Sequence, residues 1–236
     1  MNKKFDILQK TKNIWAWSLV IVCLITQNSC TEKIQPEPEL GAGYFPTALG
    51  SWIEYAVDSI YIDGPVEKFD TLNFYRRDII ESNITDAQNR PSQRIERYIK
   101  TQLTDAWAIR DVWFQTLTEN TAERVEENVR YVKLQIPLDN NKTWDGNQFN
   151  GLDAWNYKVT KLHEPFSING LNFDSTVTIE QIDSVNLVQR LYGKEVWARG
   201  VGLIYKKYTN YSFQPGISSS KKGVEYEYTV RSYGKE

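Results

Sequence analysis

Cysteine, histidine and methionine are almost missing from this chain, with two, one and one among 236 residues. A metal centre or an activated nucleophile needs several such side chains to converge, and His163, alone in KLHEPF, has no counterpart to converge with. It reads as a strand-end histidine beside a turn. No Gly-x-Ser-x-Gly elbow, phosphate-cradling loop or His-Glu-x-x-His pair occurs, so no catalytic residue, metal or cofactor is expected. Positive charge is in short supply too, with 28 basic residues against 30 acidic ones. A nucleic-acid partner would favour a basic stripe, whereas Arg76-Arg77 and Lys221-Lys222 are isolated pairs that read as solvated strand or loop positions. Long apolar runs are lacking as well. The stretch from Ile14 to Ile25 has twelve residues, whereas a membrane-spanning helix needs roughly 20.

That short stretch follows Lys3, Lys4, Lys10 and Lys12 and precedes Gln27-Asn28-Ser29-Cys30. A basic start, a short apolar segment and a small residue ahead of a cut make an export signal over residues 1–29. The arrangement resembles a bacterial lipoprotein signal, in which the cysteine after the cut is lipidated on sulfur and becomes the new N-terminus. Gln27 stands where that signal usually has leucine. Cys23 would leave with the peptide, so Cys30 would remain without a disulfide partner, its thiol a liability in an oxidising compartment. Lipid attachment at Cys30 removes that thiol. Residues 30–43, ending TEKIQPEPELGAG, mix prolines, acids and glycines without apolar periodicity and read as a solvated tether. Thr31 after the cysteine resembles outer-membrane sorting. Without the four lysines and one aspartate ahead of Cys30, 24 basic residues stand against 29 acidic ones, a net charge of about −5.

Residues 44–236 suffice for a single domain with a sizeable core. Their apolar period is two. SWIEYAVDSIYID puts Ile53, Tyr55, Val57, Ser59 and Tyr61 on one nearly apolar face, the pattern of a half-buried strand. Similar runs cover residues 71–80, 94–103, 107–118, 130–136, 155–162, 175–182, 202–211 and 224–232. Turn signals stand at Asp63-Gly64-Pro65, Asn169-Gly170, Tyr192-Gly193-Lys194 and Gln214-Pro215-Gly216. Asn169-Gly170 is the most specific of them, because a two-residue hairpin turn needs positive φ at both positions. Residues 119–128 read either as a short helix or as two edge strands around a turn. The expected fold is mostly β: a curved antiparallel meander sheet, a half-barrel or open barrel, with little helix.

Three segments, YFPTALGSWIEYAVDSI, LQIPLDNNKTWDGNQFN and EVWARGVGLIYKKYTNY, resemble the landmarks of a family of uncharacterised Bacteroidota cell-envelope lipoproteins. Tyr44, Phe45, Pro46, Gly50 and Trp52 carry the first landmark, and Gly200, Val201 and Gly202 the last. The resemblance covers nearly the whole mature chain. It implies an outer-membrane address and a curved sheet like the half-barrels of periplasmic lipid and lipoprotein carriers, but no chemistry.

The densest polar and aromatic cluster runs from Leu138 to Tyr157. Trp144, Asp145, Asn147, Asn150 and Trp155 are its candidate ligand or partner contacts, because binding residues tend to sit on long loops. Trp144 has a competing reading as a plug in the core. Asp139, Asn141, Thr143, Asp145 and Asn147 alternate oxygen donors, but Trp144 occupies the place where a calcium-binding EF-hand loop requires glycine, so Asx turns in a connecting loop explain them better. Four Asp-Ser/Thr-apolar triplets resemble Bacteroidota O-glycosylation acceptors and nominate Ser59, Thr71, Ser175 and Ser184. The expected role is a non-enzymatic envelope lipoprotein, held to the membrane by its lipid. It would act as a binding or structural module for a hydrophobic ligand, a glycan or an envelope protein. The alternative is a carboxylate-dependent hydrolase of envelope or extracellular glycans. A tapered apolar cavity would favour a lipid-type ligand, and two facing carboxylates in a cleft would favour the hydrolase.

Overall fold

A computed structural model describes residues 40–236; the signal segment, Cys30 and the tether as far as residue 39 lie outside the described residues. Twelve strands form one antiparallel sheet: β1 Ser51–Asp63, β2 Lys68–Thr85, β3 Pro91–Lys100, β4 Ala108–Leu117, β5 Thr121–Glu126, β6 Val129–Gln135, β7 Thr143–Asp145, β8 Asn156–Ile168, β9 Leu171–Val185, β10 Gln189–Ala198, β11 Gly202–Gln214 and β12 Ile217–Lys235. Single 3-10 turns at Ala42–Tyr44 and Gly64–Val66 are the helical elements among the described residues. Along the sheet the order is β6-β5-β4-β3-β2-β1-β12-β11-β10-β9-β8-β7. The chain therefore meanders outward in both directions from a central pairing of its first and last strands. Register shifts at Glu54/Tyr55, Ile80/Ser82, Arg97/Tyr98 and Gly193/Lys194 mark bulges, which increase local twist and bend the sheet. The bending brings the two edges almost together. Val132 in β6 donates its N–H to Gly146 O at 2.9 Å, and the Trp144 indole donates back to Val132 O at 2.9 Å. The result is a nearly closed barrel, in which two backbone groups of an edge strand are paired rather than left open.

Antiparallel alternation sends every second connection to the same end. One end carries the connections at residues 86–90, 118–120, 136–142, 169–170 and 199–201, together with the incoming segment 40–50. That segment closes it. Tyr44 and Phe45 are fully buried; Phe45 packs on Trp197 with centroids 5.6 Å apart, and Gln115 Nε2 donates to Pro46 O at 2.7 Å. The Tyr44 hydroxyl lies 2.7 Å from both His163 Nδ1 and Ser175 Oγ. Leu138 N–H donates to Leu40 O at 2.9 Å, which ties the start of the segment to the β6–β7 connection. Each large side chain buried here contributes roughly 1.5–3 kcal/mol by leaving water.

The Asn169-Gly170 turn has φ 50° and 76° as expected, and Tyr55 and Val57 are buried on the face that the alternation selected. Two expectations are corrected. Residues 119–128 hold neither a helix nor two edge strands. They hold β5, paired on both sides, followed by a two-residue turn at Glu127-Asn128 with φ 49° and 65°. Tyr192-Gly193-Lys194 is not a turn but the middle of β10. Gly193 has Tyr208 opposite it on one neighbouring strand and Ile182 on the other, and an added Cβ would meet the Gln181 side chain at 3.1 Å. The glycine keeps an inward position empty, as strand glycines do where other groups approach closely. The actual β9–β10 turn is Asn186-Leu187-Val188, where the Asn186 carboxamide oxygen accepts from the N–H groups of Val188 and Gln189.

Candidate functional site

At the end opposite segment 40–50 the barrel opens into a cavity of about 410 Å³, within the roughly 300–1,000 Å³ usual for small-molecule sites. Its walls come from both halves of the sheet: Tyr131 from β6, Tyr157 from β8, Tyr208 from β11 and Tyr226 from β12, with Trp155 from the β7–β8 connection. Strand alternation explains the convergence. Tyr208 and Tyr226 are direct cross-strand partners, so they share the inward face, and their rings lie 5.1 Å apart at 27°. Trp155 continues the strip, 6.3 Å from Tyr208 at 22°. Burial pushes the Tyr226 phenol up to about 12 and raises Tyr131 and Tyr208 as well. All three stay neutral at ordinary pH, each able to donate and to accept a hydrogen bond.

Below the aromatic walls lies a layer of four charges. Lys133 Nζ reaches Glu126 at 2.7 Å and Glu195 at 3.1 Å; Lys206 Nζ reaches Glu195 at 3.3 Å and Glu126 at 3.7 Å. Glu195 and Lys206 are cross-strand partners in β10 and β11, whereas Glu126 and Lys133 come from β5 and β6, so the square ties the two halves of the barrel across its interior. Glu195 is fully buried and also accepts from the Trp197 indole at 3.2 Å. Burial by itself raises both carboxyl pKa values, but the two ammonium groups outweigh it and hold Glu126 and Glu195 below the usual carboxylate range. Burial lowers Lys206, and Glu126 with Glu195 outweighs that and raises it. Glu126, Glu195 and Lys206 are therefore ionised.

A second charged layer lies behind Tyr228. Arg76 forms a bidentate pair with Asp78 at 2.6 and 2.5 Å, and Arg97 stacks on Trp113 at 3.2 Å while pairing with Asp111 at 2.9 Å. Burial raises Asp111. These residues do not line the mouth.

The sequence-nominated contacts divide. Trp155 and Asn147 line the cavity. Trp144 does not contact solvent as a binding tryptophan would. It is 6 % exposed, packs edge-on to Tyr157 at 5.9 Å and belongs to the core with Val132 and Val159. Its place is that of the plug, because β7 turns it inward. Asp145 and Asn150 fold the loop itself. Asp145 Oδ1 accepts from the N–H of Asn147 and of Trp155, and Asn150 Nδ2 donates to Arg130 O at 2.8 Å. Gly146 is needed for the same packing, since an added Cβ would lie 2.4 Å from the Tyr157 ring. Asp139, Asp145 and Asn147 among the alternating donors are thus spent on the loop's own turns, and no cluster of metal-ligating side chains forms among the described residues. His163 is a bulged residue within β8, at φ 59°, rather than a strand end. Of the four hydroxyls nominated for O-glycosylation, Thr71 and Ser184 are exposed, Ser59 is half-buried and Ser175 is held by Tyr44. Lys133, Lys206, Glu126 and Glu195 went unnoticed in the sequence. The available signal was Lys206 at an inward position of β11, between Ile204 and Tyr208, where alternation calls for an apolar residue.

No protein-family model and no curated protein matches the chain. Two solved structures are similar. A protein from Bacteroides fragilis NCTC 9343, assigned as exported and as having a YmcC-like fold, is 10% identical with a TM-score of 0.42. A protein from Parabacteroides distasonis ATCC 8503 assigned as a lipoprotein is 9% identical with a TM-score of 0.40. Each match covers 81% of this chain and 98% of the other.

Proposed function

We propose that the chain is a lipid-anchored lipoprotein of the outer membrane whose barrel is a binding module, with its ligand seated in the aromatic mouth. The mouth carries the reading: five aromatic walls converge there from both halves of the sheet, above a floor of polar groups. Apolar side chains crowd the same end. Val66, Leu103, Phe149, Leu152, Leu187 and Ile217, all exposed, sit on or beside its connections, and such concentrations mark contact regions. The basic start, the short apolar stretch and Ser29-Cys30 support the anchor.

A lipid-type ligand fits poorly, because an acyl chain would rest on four charges. The hydrolase fits poorly too. A glycosidase keeps one carboxyl protonated to act as acid, whereas Glu126 and Glu195 are both held ionised and spanned by lysines. Asp111 is raised but lies beneath Arg97, away from the mouth. The test has two arms. The expressed full chain should incorporate labelled palmitate and fractionate with the outer membrane, and Cys30→Ala should do neither. Fragment screening by protein-observed NMR should give hits that shift Trp155 and Tyr208. Unlabelled wild type would overturn the anchor, and hits confined elsewhere would overturn the binding site.

A further inference from the structure

The chemistry of the mouth also bears on what it holds. We propose that the ligand is an uncharged saccharide, an inference that rests on the binding-module reading above. Trp155, Tyr208 and Tyr226 form a strip of three rings, neighbours 6.3 and 5.1 Å apart and within 27° of parallel. The rings are stacked on one another, so Trp155 at the outer end offers its face to the flat C–H surface of a pyranose, whose equatorial rim of hydroxyls needs both donors and acceptors. The floor supplies both kinds. Lys206 holds its carboxylates at 3.3 and 3.7 Å, looser than Lys133 at 2.7 and 3.1 Å, so its N–H donors are the less committed. Glu126, Gln181 and the neutral phenols add acceptors.

Other chemistries meet an obstacle in the same residues. An anion finds no excess positive charge, since two lysines face two glutamates and Asp153 at the rim adds a further negative charge. A quaternary ammonium would meet the protein's own cations beside the walls, since Lys133 lies 5.2 Å from the Tyr131 ring and Lys206 5.9 Å from that of Tyr226. A ligand cation would press against both ammonium groups. An uncharged polyol with apolar faces is the class that the walls and floor accept together.

The purified full chain is applied to an array of uncharged hexose, N-acetylhexosamine and deoxyhexose di- and trisaccharides, with uronate-containing disaccharides as charged controls. The best ligand is then titrated by calorimetry and mapped by NMR, with choline and octanoate as comparators. We expect at least one uncharged glycan to bind and to shift Trp155, Tyr208 and Gln181. Trp155→Ala and Tyr208→Ala should weaken it at least about tenfold, while Tyr208→Phe keeps the ring and most of the affinity. Mapping on the wild type stands even if an alanine variant fails to fold. Binding of uronates, choline or octanoate at the mouth, or of other fragments there with no uncharged glycan bound, would overturn the saccharide and leave the binding module standing. A mouth that takes no probe of any class would overturn both.

Discussion

Lys206 occupies an inward position of β11 between Ile204 and Tyr208 and is 7 % exposed. Its solvation is replaced by Glu195 and Glu126, so removing it leaves two buried carboxylates sharing one lysine. Lys206→Met should therefore lower stability by about 3–5 kcal/mol, the usual cost of breaking a buried pair from one side, read from denaturant melts at neutral pH. The same square sets a pH dependence. Glu126 and Glu195 are depressed below their ordinary 4.5, so the stability they contribute is present above that value and lost as pH falls through their folded values. Lys206 is raised above its ordinary 10.5, so its contribution is present below that value and lost as pH rises further. Stability should hold a plateau between about pH 5 and 10, and Lys206→Met should steepen the approach to its acid edge less than wild type does. A wild-type curve still rising between pH 3 and pH 2 would contradict the square. Beyond Lys206 at an inward position, the square was not legible in the sequence, because period-two alternation says which residues share a face but not that four of them meet across a barrel.

At the scale of elements, β7 shows what a sequence can and cannot yield. Its three residues carry too little alternation to be read as a strand, and the segment around them is dense in amides and acids, so it read as a contact loop. Their partner is decided by distant chain: Tyr157 lies opposite Trp144 in β8, and Val132 in β6 takes the indole hydrogen bond. Trp144→Ala should cost about 3–5 kcal/mol through the cavity it leaves, seen as a drop in melting temperature. The mouth should keep its ligand in the folded fraction, since Trp155 and Tyr208 stay in place. An unchanged melting temperature would return Trp144 to the surface. Elements with long alternation were legible. Tyr55 and Val57 in β1 and the Asn169-Gly170 turn follow from local rules alone. Gly193 misled because glycine in a strand and glycine in a turn look alike until Gln181 and Tyr208 are seen beside it.

On the scale of the whole molecule, the central pairing decides how the barrel holds together. β1 pairs with β12 from Ser51↔Lys235 to Asp63↔Lys222, so the longest-range contacts of the described chain are the spine of the sheet rather than its seam. Either half alone would expose β1 or β12 as a long open edge and leave Glu126 and Lys133 without Glu195 and Lys206. The closing segment 40–50 works in the same direction, since Phe45 meets Trp197 from β10 and Arg124 from β5 stacks over both rings at 5.3 Å. Neither half can release its side of the core without the other. The protein should therefore unfold in one transition, with β-type circular dichroism and tryptophan fluorescence falling at the same midpoint. Trp113 reports one half of the sheet and Trp197 the other. Refolding should be slow for its size, because the spine closes only after nearly the whole chain is made available. Two separated transitions, with Trp197 changing before Trp113 in single-tryptophan variants, would mean that the halves are independent and that neither the square nor the spine couples them.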